Sequence, residues 1–188
     1  TSLTEYTSYE DSQSEFSIKG LWQLLDGDKQ QLNIAYEAVD RHAHLDKVAI
    51  HVAHSDGRDE SISFHDLSST SSQLAHWLGS LGINTGDRVG VMVDPSLAFY
   101  AAMFGIIKSG AVAVPMFTLF GIDSLRARVD DSGLKVLVVS REKNDIAQSL
   151  KGIHIEVADD TFLSKLQNFP KTFETNTTPS DYAIYQYT

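Results

Sequence analysis

The sequence predicts an α/β fold: a mostly parallel sheet with flanking helices, preceded by an N-terminal β-hairpin. Three observations carry this. The runs RVGVMV (88–93), AVAVPM (111–116) and KVLVVS (135–140) are short and apolar throughout, the pattern of strands buried on both faces. They alternate with stretches of helical character, which implies right-handed crossovers between parallel strands. Ahead of them, KVAIHVAH (47–54) alternates apolar and polar residues. SDGRDE then supplies turn chemistry before SISF (61–64), which reads as a hairpin.

The elements follow in order. Residues 1–16 are polar and acidic and read as a loose tail. In 32–45, Leu32, Ala35, Tyr36, Val39 and Ala43 recur at three and four residues and predict one short helix. Ser63, with Asp66 three residues on, reads as an N-cap pair for a helix that buries Leu67, Leu74, Trp77, Leu78 and Leu81 and ends near Gly82, with its SSTSS run on the solvated side. After the strand at 88–93, Asp94 is the expected N-cap and Pro95 the first helical residue, where its missing N–H costs nothing. That helix runs to Lys108, is apolar nearly all round, and is therefore expected between layers. Helices at 122–132, 144–151 and 160–168 and a strand at 153–158 complete the alternation. The polar, Thr-rich stretch after 169 leads into DYAIYQYT, expected to begin a further strand.

Composition narrows the function classes. The chain has 188 residues, a formal net charge of −10 and 42% hydrophobic residues. A chain of this length buries roughly 70% of its unfolded surface and needs no metal or disulfide staple. It contains no cysteine, which removes disulfide scaffolds, cysteine zinc sites and thiol nucleophiles and suits a reducing, cytoplasmic setting. The negative charge argues against nucleic acid or an anionic membrane as partner. Residues 1–65 carry five basic and twelve acidic side chains, so the later part is the better place for an anionic ligand. The start has neither an apolar core nor basic character and does not read as a signal or transit peptide. The apolar stretch 89–122 is cut by Asp94, Pro95, Lys108, Gly110 and Pro115 into pieces below the ~20 residues of a membrane span.

Neither a Gly-x-Gly-x-x-Gly turn nor a Walker loop is present. Attention falls on the strand-to-helix junctions at 94–96, 117–121 and 140–143, because ligands of open α/β sheets gather at strand carboxyl ends. His42, His44, His51 and His54 lie close enough in sequence to suggest a zinc site, but no second shell is evident and ordinary structural histidines are the favoured reading. Asp94 with Lys143 resembles a phosphoryl-accepting receiver pair, yet the acidic pair such a site needs for magnesium is missing, and the N-cap role accounts for Asp94. Arg126, Arg128, Lys135 and Arg141 form a local concentration of positive charge. They are read either as phosphate partners or, for Arg128, as a helix-surface pair with Asp130 or Asp131.

Taken together, LNIAYEAVDRHA, ISFHDL and LGINTGDRVGVMVDPSLAFYAAMFGIIKSGAVAVPMF resemble, in order and spacing, the start of the adenylate-forming acyl-CoA synthetase family. The resemblance covers 18–188 and is densest over 86–117. It implies that 17–188 is the N-terminal portion of an AMP-binding (adenylation) domain, the first part of that family's large N-terminal domain. Tyr187 and Thr188 match the approach to its phosphate-binding loop, so the chain is expected to be an N-terminal fragment. The adenine-contacting aromatic segment, the ribose-binding Asp, the hinge and the mobile C-terminal domain with its catalytic Lys would then all lie after residue 188.

The implied activity is that of a carboxylate:CoA ligase. A carboxylic acid attacks the α-phosphate of ATP with Mg2+ present, and the CoA thiol displaces AMP from the acyl-adenylate. ATP, Mg2+ and CoA are thus the implied cofactors, and the acid substrate and the remainder of the chain the implied partners. No catalytic or metal-binding residue is assigned within 1–188, and the fragment alone is expected to be inactive.

FTLFGIDSLRARVDDSG resembles the acetyl and medium-chain branches, which places Phe117, Thr118 and Leu119 at the CoA and pantetheine entrance. The acetyl branch has Phe-Gly-Gly there. Thr118 and Leu119 replace both glycines, and only Arg141 and Lys143 stand roughly where that branch has its basic CoA contacts. Simple packing of Phe117, Leu119 and Phe120 between sheet and helix is the alternative. For the whole protein the alternatives are an amino-acid adenylation or luciferase-like enzyme, or a freestanding binding module.

Overall fold

The computed structural model describes residues 5–187. A four-stranded parallel sheet, in the order β4-β3-β5-β6, is built from β3 (Arg88–Met92), β4 (Val112–Pro115), β5 (Val136–Val139) and β6 (His154–Val157). Alternate residues of these strands enter different cores, as a period of two requires. Val89, Val91, Ala113, Val136 and Val138 face one side, and Met92, Val114, Leu137 and Val139 face the other. The first side is covered by α4 (Phe64–Ser80), α5 (Leu97–Lys108) and α8 (Asp160–Leu166), the second by α6 (Ile122–Ser132) and α7 (Asn144–Gln148). Ile184 bridges in parallel to Ala113, so the expected further strand begins on the open edge of β4.

The hairpin β1 (Val48–Ala53) and β2 (Asp59–Ser63) is antiparallel, with a register shift between Val48 and Ile50. Its turn places Gly57 at φ 85°, a left-handed conformation that glycine adopts without strain. The hairpin shares a small core, Val39, Val52, Ile62 and Leu67, with the start of α4.

Several details depart from the sequence reading. Residues 5–16, expected as loose tail, contain α1 (Tyr9–Glu15). Its N-cap Ser8 accepts from the Asp11 amide and no residue of the helix is buried. A short α2 (Ile18–Trp22) follows. The single helix expected over 32–45 is instead α3 (Ile34–Ala38) followed by a 3-10 turn at Asp40–His42. Buried Asn33 starts it. Its Oδ1 accepts from the amides of Ala35 and Tyr36, while Nδ2 donates to the Ile107 carbonyl at 2.9 Å and to Thr177 Oγ1 at 3.0 Å. The N-cap of α5 is Ser96, not Asp94: Ser96 Oγ accepts from the Phe99 amide, and Pro95 stays outside the helix.

The serine run of α4 is not a solvated face. Ser71 and Ser72 are buried, because α5 crosses there so closely that a Cβ on Gly105 would stand 2.7 Å from the Ser71 carbonyl. Lys108, at the end of α5, is fully buried against the same run. Its Nζ reaches Asp40 Oδ1 at 2.6 Å and donates to the Ser68 carbonyl and to Ser72 Oγ, each at 2.9 Å. Burial lowers the Lys108 pKa despite the pull of the Asp40 carboxylate.

Candidate functional site

Because the chain runs from β3 to β4 on one side and then crosses back to β5 on the other, the loops at the carboxyl ends of these strands diverge and open a crevice, the usual ligand position in such sheets. A cleft of about 250 Å³ lies there. Pro95 and Phe99 wall it from the β3 side, Met116, Phe117 and Phe120 from the β4 side, and Gln186 and Tyr187 from the run beside β4. Its lining is mostly apolar, with a polar pair at the rim, where the Thr118 hydroxyl donates to Asp94 Oδ1 at 2.8 Å. This bond ties the β3 and β4 loops together. It also sets a carboxylate at the mouth and occupies the one hydroxyl of the 117–119 loop.

The packing alternative for that loop holds for one of its three residues. Phe117 is 70% exposed and Leu119 91% exposed, so neither packs between sheet and helix. Phe120 alone turns inward, joining the core under α6. Phe117 meets it edge-on, with ring centroids 5.6 Å apart. Thr188 lies outside the described residues. Tyr187 does not: its hydroxyl donates to Asp131 Oδ2 at 2.6 Å and to the Arg128 carbonyl at 3.2 Å.

The basic residues are otherwise engaged. Arg126 pairs with Asp123, Lys135 with Asp87 and Arg141 with Asp159. Arg128 makes no pair with Asp130 or Asp131. It donates to the Ser124 carbonyl and lays its guanidinium over the Phe120 ring, 4.1 Å from the centroid. The histidines diverge likewise: His42 packs on Phe64, His51 bonds Ser61 and His54 faces Glu60. Among the described residues no group of three or more His, Cys, Asp or Glu is placed to hold a metal. Nor is any described helix long and apolar enough to cross a membrane.

The arrangement suits an elongated neutral ligand. Apolar walls and an open mouth accommodate a chain of methylene and amide groups, whereas Asp94 opposes a phosphate. Sequence reasoning pointed to the 94–96 and 117–121 junctions, which line the cleft, but missed the Phe120, Arg128 and Tyr187 stack.

The fold is an open α/β sheet with a cleft at its strand ends, and the comparisons give it a family. The sequence profile of the AMP-binding enzymes matches residues 36–188, and the chain belongs to that family. The acetyl-coenzyme A synthetase of Bacillus subtilis (strain 168) is 36% identical over 116 residues, 60% of this chain and 20% of its own length. The chain thus spans a minor part of the curated relatives it matches. Among solved structures, the acyl-CoA synthetase of Brucella canis superposes with a TM-score of 0.86 at 23% identity, over 96% of this chain and 36% of that one. The fatty acyl CoA synthetase of Mycobacterium tuberculosis does so with a TM-score of 0.72 at 21% identity, over 86% and 33%. At those identities the structural likeness speaks for the fold.

Proposed function

We propose that residues 17–188 are the N-terminal portion of the adenylation domain of a cytoplasmic, ATP-dependent carboxylate:CoA ligase, and that the cleft at Phe117, Thr118 and Leu119 is its pantetheine entrance. The observation that carries this reading is an exposed apolar side chain, Phe117, lining an apolar cleft at the strand ends of an AMP-binding family member, with exposed Leu119 two residues on in the same loop. Exposed apolar groups gathered at one concave place mark a binding surface.

In this reading the whole protein activates a carboxylic acid as its adenylate using ATP and Mg2+, then passes it to CoA, with Thr188 approaching the phosphate-binding loop. The residues of this chain bind and shape. Phe117 and Leu119 flank the arm, Pro95 and Phe99 exclude water beside it, and the Thr118–Asp94 bond holds the two loops at a fixed separation. Catalytic gain then comes from positioning rather than from an acid or base on this chain.

The test is hydroxamate trapping by the full-length protein with a panel of fatty acids and amino acids, followed by CoA titration of Phe117→Ala and Leu119→Ala. The reading expects acid-dependent hydroxamate and a raised KM for CoA at unchanged adenylate formation. Trapping with amino acids alone would assign the protein to an amino-acid adenylating type. Absence of trapping, with CoA heat still seen in calorimetry, would leave a binding module.

A further inference from the structure

We propose that Arg128 is a positioning residue that couples the loop after β4 to the chain at 185–187, so that the CoA-side and nucleotide-side parts of the site respond as one unit. The inference rests on the ligase reading for its functional consequence and on local geometry for its existence.

The guanidinium of Arg128 lies 4.1 Å from the centroid of Phe120, which belongs to the β4 loop, and 5.3 Å from that of Tyr187, which belongs to the run beside β4. Phe120 in turn touches exposed Phe117, so contacts run from the cleft mouth through the two phenylalanine rings and the Arg128 guanidinium to Tyr187. Arg128 Nε is buried with no hydrogen-bond partner, the one such side-chain atom among the described residues. A buried donor left unmade is costly, so the one bond from Nη1 to the Ser124 carbonyl does not by itself account for where this guanidinium sits, and stacking on the two rings contributes.

The second ring is locked from the same helix. Asp131, three residues on, accepts the Tyr187 hydroxyl proton, and Arg128 itself accepts through its carbonyl. Burial, reinforced by the Asp131 carboxylate, pushes the Tyr187 phenol up to about 12, so it remains a donor across the physiological range. Space-filling alone calls for an aliphatic side chain here. A flat cation touching one ring from each segment transmits displacement of either ring to the other, and coupling of this kind is reciprocal.

The experiment uses the full-length protein with Arg128→Met, which keeps length and loses the cation, Arg128→Lys, which keeps the cation, and Tyr187→Leu. Hydrogen exchange is read at the Phe120 amide, which is bonded to the Phe117 carbonyl at 3.1 Å, with β5 amides as the control for global unfolding. The proposal expects exchange at Phe120 to rise about three- to tenfold in both Arg128→Met and Tyr187→Leu, with Arg128→Lys recovering part of the protection. In steady state, KM for ATP and for CoA should rise together. Unchanged Phe120 exchange in Tyr187→Leu overturns the coupling, as does a Tyr187→Leu protein whose KM for CoA does not move. A wild-type protein that binds neither ATP nor CoA overturns the ligase reading and the functional half of this proposal. That failure is read in binding, separately from exchange.

Discussion

Replacing Lys108 by Met should be among the most damaging single changes in this chain, although it creates no cavity. Lys108 is fully buried, and its ammonium neutralises Asp40 at 2.6 Å while donating to the Ser68 carbonyl and Ser72 Oγ. Met fills the same channel, so the loss is electrostatic. Asp40 keeps one donor, the Ser68 hydroxyl at 2.6 Å, and its side chain is only 14% exposed. Removing one partner of a buried pair costs about 3–5 kcal/mol, and the residual exposure of Asp40 argues for the lower end. With a urea m-value of about 2 kcal/mol/M, a loss of about 3 kcal/mol lowers the unfolding midpoint by about 1.5 M. Fluorescence of buried Trp77 is a suitable signal. Adding Asp40→Asn to Lys108→Met removes the orphaned charge and should return about 1–2 kcal/mol. A single-mutant loss below about 1 kcal/mol, the range of exposed ion pairs, would refute the reasoning. A double mutant no more stable than the single would refute it equally.

Two further outcomes follow from close contacts and from acid titration. Gly105→Ala presses a methyl to 2.7 Å from the Ser71 carbonyl, a backbone atom with nowhere to go, and should cost about 2–3 kcal/mol, whereas Gly79→Ala meets nothing within 4 Å and should raise the melting temperature slightly; equal behaviour of the two in thermal melts would contradict the packing argument. For Glu37, burial opposes ionisation, but the amides of Gly27 and Asp26 and the Arg41 guanidinium outweigh it and hold the carboxyl below its ordinary 4.5. Its stabilisation is present above that value and lost as pH falls through the lower, folded one. Glu37→Gln should therefore flatten the decline of stability on acidification below about pH 4.5, and an unchanged slope in denaturation at stepped pH would count against it.

The sheet was legible because burial on both faces leaves all-apolar runs, and Val89 to Met92 and Val136 to Val139 read as strands with no help from their surroundings. Helix α6 was placed correctly at both ends, since Gly133 adopts φ 61° just past its last residue and stops it by conformation alone. What failed were features decided by tertiary partners. Ser71 and Ser72 look like surface residues until Gly105 brings α5 against them. Asp94 and Ser96 are equally good caps, and only the exposed position of Pro95 settles which is used. The 32–45 helix breaks after Ala38, and the turn that follows carries the Asp40 that meets Lys108, a residue 68 positions later. In the site, the junction at 117–121 came from the strand-end rule, and the CoA-entrance role of Phe117, Thr118 and Leu119 from resemblance. The stack could not have come from any local pattern, because it joins residues 120, 128 and 187.

The segment that most resembles the family, 86–117, lines the cleft with residues 93–95, 99 and 115–117, while its residues at 86–88 and 108–110 serve the opposite end of the sheet. Gly86, at φ 82°, donates its amide to the Gly110 carbonyl at 2.9 Å. Asp87 accepts from the Asn84 amide and pairs with Lys135 at 2.8 Å. Arg88 donates to the carbonyls of Gly86, Ser132 and Gly133, closing the end of α6 where β5 begins. Lys108 fixes α5 just before β4. All of these act at the amino ends of the parallel strands, where they set the register of β3, β4 and β5, and through it the spacing of the loops at the carboxyl ends. The motifs at the amino ends therefore speak for the frame, and differences in ligand preference within this architecture are to be sought at 94–96, 117–121 and 140–143. Thr118 is the first place to look. Its hydroxyl holds Asp94 across the cleft mouth, a tie that glycine at the same position cannot make, so Thr118→Gly should free both loops while leaving the amino-end frame and the cooperativity of unfolding intact.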